Sequence, residues 1–123
     1  MTREQKLFKA LIKADLRIVE TFYNDEDKAL RYQAAYHMQQ AVEKTIKLKA
    51  ELQDLNLWGH DIDKLIIECD DAKIDIGIPK YIRKKSVDIT QWEAECRYHP
   101  VKVVRRDTIK KVFDIVSVWL DEE

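Results

Sequence analysis

The sequence predicts an all-α fold, an up-and-down antiparallel bundle of four to five helices, and three observations carry that expectation. Only two Gly and two Pro occur in 123 residues, which leaves little turn chemistry for hairpins and few helix breakers. Apolar residues recur at spacings of three and four over most of the chain, the period of a helix with one buried face. Capping sequences stand in front of several of these periodic runs. At 46% hydrophobic and 37% charged, the chain has material for one core and for a solvated exterior. A length of 123 residues fits a single domain spanning residues 1–123.

Thr2-x-x-Gln5 has capping-box spacing and starts the first helix. Leu7, Leu11, Ala14, Ile18 and Phe22 form one apolar row, and Phe8, Ile12, Leu16, Val19 and Tyr23 a neighbouring one. Together they predict a wide buried stripe. Asn24-Asp25-Glu26-Asp27 then supplies a cap and negative charge for a second helix, which runs without Gly or Pro to about Leu52. Its core seam is Leu30, Ala34, Met38, Ala41, Thr45, Leu48 and Leu52. Asn56, Gly59 and His60 break the pattern, with His60 closing a loop and Asp61 capping a short third helix through Ile62, Leu65, Ile66 and Cys69.

Residues 72–79 alternate polar and apolar, but a lone short strand has no partner, so a covering loop is expected. Thr90-x-x-Glu93 predicts the start of a fourth helix that Pro100 stops, and Asp107 precedes the periodic run of a fifth, from Ile109 to Leu120.

Composition also bounds function. A P-loop or a GxGxxG dinucleotide site needs several glycines where backbone approaches phosphate, and neither is present. The formal charge is −1, so any electrostatic preference must come from local clustering. Residues 80–111 hold ten basic and four acidic side chains; this stretch either grips phosphates or is an ordinary charged surface. Tyr81, Trp92 and Tyr98 lie within it as stacking or core aromatics. No run of apolar residues is long enough to span a membrane, and the charged N-terminus lacks the pattern of a signal peptide. Cys69 and Cys96 are the only cysteines; reduced thiols in a cytoplasm are the expectation. His and Cys fall at no zinc-site spacing, so no metal and no cofactor are expected. Ser86 and Ser117 lack a nucleophile elbow.

The second helix carries a further stripe, Tyr36, Gln40, Glu43 and Lys47, with Glu43 and Lys47 placed to pair at i,i+4. It reads as a solvated face or as a polar groove. His37 lies at the edge of the core seam and needs a hydrogen-bond partner there, as a core histidine or as a ligand contact. Residues 34–47, AAYHMQQAVEKTIK, followed by His60-Asp61-Ile62 and Leu65, resemble the HEPN domain (higher eukaryotes and prokaryotes nucleotide-binding). Tyr36, His37, Gln39, Gln40, Ala41, Glu43, Lys44 and Lys47 match the family pattern position by position. Arg97-Tyr98 before Pro100 matches a later Arg-Tyr-Pro element with His99 inserted.

The resemblance implies a helical homodimer of the kind that partners small nucleotidyltransferases in toxin-antitoxin-like pairs. It implies a nucleotide or nucleic acid bound in a groove of Tyr36, His37, Gln40, Glu43, Lys44 and Lys47, with Arg97 nearby. Some members are metal-independent ribonuclease toxins that use an Arg and a His four to six residues apart. Arg31 and His37 have that spacing here, but they lie about 120° apart on a helical wheel, and Tyr32 stands where those members carry a polar residue. The expectation is therefore a binding module of the non-ribonuclease-like branch. The alternatives are a metal-independent ribonuclease using Arg31 and His37 in a dimer groove and a purely structural dimerisation or interaction domain.

Overall fold

A computed structural model describes residues 1–98 and 104–122, with side chains given for all of these but 95–98. Six helices follow one another: α1 (Arg3–Phe22), α2 (Lys28–Glu51), α3 (Ile62–Asp71), α4 (Lys80–Lys84), α5 (Ser86–Tyr98) and α6 (Arg106–Asp121). The described residues contain no strand, and 72–79 form a loop. No helix among them is long and apolar enough to cross a membrane. Five helices match those expected, and α4 is an additional five-residue turn that Pro79 opens without a side-chain cap.

The start signals for α1, α2 and α3 act as their chemistry dictates. Thr2 Oγ1 accepts from the Gln5 N–H at 3.1 Å while Gln5 Oε1 accepts from the Thr2 N–H at 2.9 Å. Asp27 accepts from the Ala29 N–H at 2.9 Å, and Asp61 from that of Lys64 at 3.2 Å. Each bond satisfies a donor that the first helical turn cannot pair internally.

The central element is α2, which packs against α1, α3, α5 and α6. Twelve of its 24 residues are buried, among them Ala34, Ala35, Met38, Ala41, Val42, Ile46 and Leu48. A helix enclosed this way has no single apolar stripe, because neighbours cover it from several directions. The loop after α3 closes one end of the core: Trp119 Nε1 donates to the Ile76 carbonyl at 3.0 Å, beside Gly77 at φ +67°.

Three expectations need correction. On α1 only the row of Ile12, Leu16 and Val19 is buried, whereas Leu7 and Leu11 are 59% and 56% exposed and Ala14 is also exposed. An outer helix resting on α2 and α6 is covered over a limited arc, narrower than its apolar surface. Leu52 is exposed because it is the C-cap of α2, past the last turn that the bundle covers.

Thr90 does not begin a helix. It lies one turn inside α5, where its hydroxyl donates to the Ser86 carbonyl at 2.8 Å and accepts from the Ile62 N–H at 2.9 Å. The hydroxyl thus caps a helix, but the helix is α3. Arg105 occupies the N-cap of α6, and Asp107 falls in the first turn, where its charge suits the helix dipole.

Replacing Thr90 with Val keeps the side-chain shape and removes the acceptor at the start of α3. Thr90→Val should lower unfolding free energy by about 1 kcal/mol, measured by urea denaturation, and Thr90→Ser should cost clearly less.

Candidate functional site

Two buried carboxylates organise one side of α2. Asp15 of α1 is 6% exposed, in the midst of the apolar row Ile12, Leu16 and Val19. Its Oδ1 lies 2.8 Å from His37 Nδ1, and its Oδ2 accepts from Lys44 Nζ at 2.7 Å. His37 and Lys44 are two helical turns apart, so both reach the same carboxylate from one face.

Glu43 is the second, 4% exposed. Its Oε1 accepts from Gln39 Nε2 at 3.1 Å and lies 2.9 Å from His60 Nδ1, while Lys47 Nζ donates to Oε2 at 3.2 Å. Gln39, fully buried, accepts from Gln40 Nε2 at 2.7 Å and donates to the His60 carbonyl at 3.4 Å. Taking a carboxylate out of water costs several kcal/mol unless its oxygens are paired. All four oxygens here have partners. Among the described residues no buried side-chain nitrogen or oxygen lacks one.

The hydrogen bonds fix the tautomers. An ionised carboxylate only accepts, so His37 and His60 each donate Nδ1–H and keep Nε2 as a lone-pair acceptor when neutral. His37 is a quarter exposed at its side chain and His60 is 69% exposed. Tyr36 meets the His37 ring edge-on, with centroids 5.1 Å apart. The result is a nearly charge-balanced surface, in which Asp15 offsets Lys44 and Glu43 offsets Lys47.

Of the residues that the sequence nominates, Tyr36, His37, Gln40, Glu43, Lys44 and Lys47 fall within an arc of about 120° on α2. Glu43 is no groove wall, however; it is the interior anchor that holds Lys47 and His60. The side chain of Arg97 lies outside the described residues, as do Cys96, Tyr98 and His99. Arg31 and His37 are not brought together within one chain. Arg31 Nη1 donates to the carbonyls of Asp25 and Glu26 at 2.8 and 3.0 Å, tying down the α1–α2 turn, while His37 is held by Asp15.

Sequence reasoning missed Asp15 and under-read His60. An acid inside an otherwise apolar row is the signal for Asp15, since such a residue must find a buried partner. His60 looked like a loop closure because its partner, Glu43, is distant along the chain.

Among the described residues of the basic stretch, Lys80, Arg83 and Lys84 lie on α4 and Arg106, Lys110 and Lys111 on α6. Lys111 Nζ sits 4.2 Å from the centre of the Tyr81 ring and joins the two elements. Arg83 grips Asp70 with two bonds of 2.8 and 3.2 Å, which holds the Asp70 carboxyl below its ordinary value and raises Arg83 in turn. Lys110 pairs with Asp114, and Arg106 donates to Asn24 at 3.0 Å. Trp92 is buried core and offers no stacking face. Burial pushes the Cys69 thiol up, with the neighbouring Asp70 and Glu68 charges adding to the effect. No three His, Cys, Asp or Glu side chains among the described residues gather as a metal ion requires.

Asp15→Ala removes one partner of a buried pair and should cost about 3 kcal/mol in chemical denaturation. Combining it with Lys44→Ala should cost less than the sum of the two single changes, because the second removes a cation already left unpartnered. Strict additivity in that double-mutant cycle would show that the pair is not coupled.

No curated protein and no solved structure matches the chain. The sequence profile of the HEPN domain matches residues 13–121, from the middle of α1 to the end of α6. With that match covering most of the chain and both buried carboxylates, the chain belongs to the HEPN family.

Proposed function

We propose that the protein binds a nucleotide or nucleic acid on the α2 face and works as a homodimer beside a separately encoded nucleotidyltransferase, as in toxin-antitoxin-like pairs. HEPN membership supports a nucleotide- or RNA-related helical module. The observation that carries the reading is the pair of buried carboxylates, which hold Lys44, Lys47, His37 and His60 on one side of the bundle. Donors and acceptors fixed in this way lose little entropy when a ligand replaces water. Each lysine has further N–H donors for a phosphate oxygen, and each imidazole Nε2 can accept from a base or a ribose hydroxyl.

Binding is favoured over RNA cleavage because the Arg31 guanidinium is already engaged by two backbone carbonyls of the α1–α2 turn, whereas cleavage needs it free to meet a His37 across a dimer groove. General acid–base chemistry requires its partners in mutual reach. A second copy has an apolar surface to pack on, the exposed row Leu7, Leu11 and Ala14 of α1.

Purified protein screened by thermal shift against ATP, GTP and short RNA, with light scattering for mass, tests the proposal. Saturable stabilisation of a dimer is expected, amounting to about 2.7 kcal/mol at a hundredfold excess over Kd. Gln40→Ala combined with Lys47→Ala should shrink the ligand-induced shift. Unchanged affinity and unchanged mass in that variant would remove the α2 face from the site. No shift with any ligand would leave a structural interaction domain as the better description.

A further inference from the structure

Trp58 is the most exposed large hydrophobic residue among those described, at 83%. Leaving an indole in water forgoes a stabilisation of the kind that buried side chains provide, and tryptophan is usually well covered. Trp92 and Trp119 of the same chain are buried.

The backbone presenting Trp58 is anchored on both sides. The Leu55 N–H donates to the Ala50 carbonyl at 3.0 Å, Leu57 is buried, and His60 is held by Glu43 and Gln39. The connector therefore runs antiparallel to α2. From Ala50 back to Gln39 the helix rises about 16 Å, and the stretch from Leu55 to His60 reaches about 17 Å when extended. Trp58 thus sits at the level of the turn carrying Glu43 and Lys47. With Leu57 turned into the core, the next side chain turns outward, as alternation along an extended segment requires. Gly59, at φ +102°, has nothing within 4 Å of where a Cβ would stand, so the flank of the connector beside the ring is open.

The surroundings decide the occupant. Asn56, Gly59 and His60, its neighbours along the chain, are exposed and polar or bare, so the indole stands beside hydrogen-bonding groups. Leu52 does not extend the patch; it lines another groove with Gln53, Asp75 and Trp119. A flat apolar face beside fixed donors and acceptors is complementary to a nucleobase, which stacks through its ring and hydrogen-bonds through its edge.

Resting on the nucleotide-binding reading above, we propose that Trp58 is the stacking platform for the base of a nucleotide or RNA bound on the α2 face, with His60 and Lys47 at the edge of that base. Neither the helical pattern nor the family motif singles out this residue.

The indole is its own reporter, because Trp58 is the one tryptophan of the three that solvent reaches freely. ATP and a ten-residue oligoadenylate are titrated into the protein with emission excited at long wavelength, and affinity is measured separately by calorimetry. Ribose 5-phosphate serves as the probe without a base. The expected result is quenching by ATP and oligoadenylate but not by ribose 5-phosphate, a loss of affinity of about tenfold or more in Trp58→Ala, and a smaller loss in Trp58→Phe. If the parent protein binds the probes and Trp58→Ala binds them equally well, the stacking role is wrong and the binding reading stands. If the parent binds neither, both fail. A change of molecular mass in Trp58→Ala with affinity intact would make Trp58 a contact between copies, which also overturns the proposal.

Discussion

Everything about the α2 face depends on Asp15, a carboxylate placed among the apolar residues through which α1 packs on the central helix. An acid there is tolerable only if both oxygens find donors, and both do, in His37 and Lys44. The requirement works in two directions. It forces α2 to offer a histidine and a lysine two turns apart, and it fixes the rotation of α2 against α1, since any other rotation would strand the charge. Glu43 repeats the device on the other flank, joining α2 to the connector before α3 through His60. The central helix is thus bolted to the chain segments on either side by charge and to the bundle by its alanines, Met38, Val42 and Ile46.

How much of this could be read from the sequence follows from how local each cause is. Thr2, Asp27 and Asp61 act within three residues of themselves, and their helices start where their side chains require. The Glu43–Lys47 pair is equally local and is present as its spacing implies. Thr90 has the same local signature, yet it caps a helix 28 residues earlier in the chain. Spacing reports that a hydroxyl is available and cannot report which helix end will come to meet it. Leu7 and Leu11 show the same limit for burial, because periodicity defines an apolar arc and only the neighbours determine how much of it is covered.

The site itself was half legible. Tyr36, His37, Gln40, Lys44 and Lys47 share one side of α2, which a wheel shows directly. The roles were harder to see. Glu43 belongs to the interior, and what holds His37 is an acid from another helix. The pairing accounts for why a conspicuous polar run survives in a helix that is buried over half its length. Lysines that look available in the sequence are engaged by carboxylates in the fold, so the face presents orientation more than net charge.

The bond from Ile62 to Thr90 also has a bearing on how the chain acquires its shape. A helix as short as α3, ten residues, is marginal by itself because the first turn is the costly one to form. Here that turn receives its acceptor from α5, and Ser86 of α5 reaches Asp63 of α3 as well. The two helices therefore support each other's order. They form one cooperative unit docked on α2, and a fluctuation that lifts α5 away would melt the start of α3 with it.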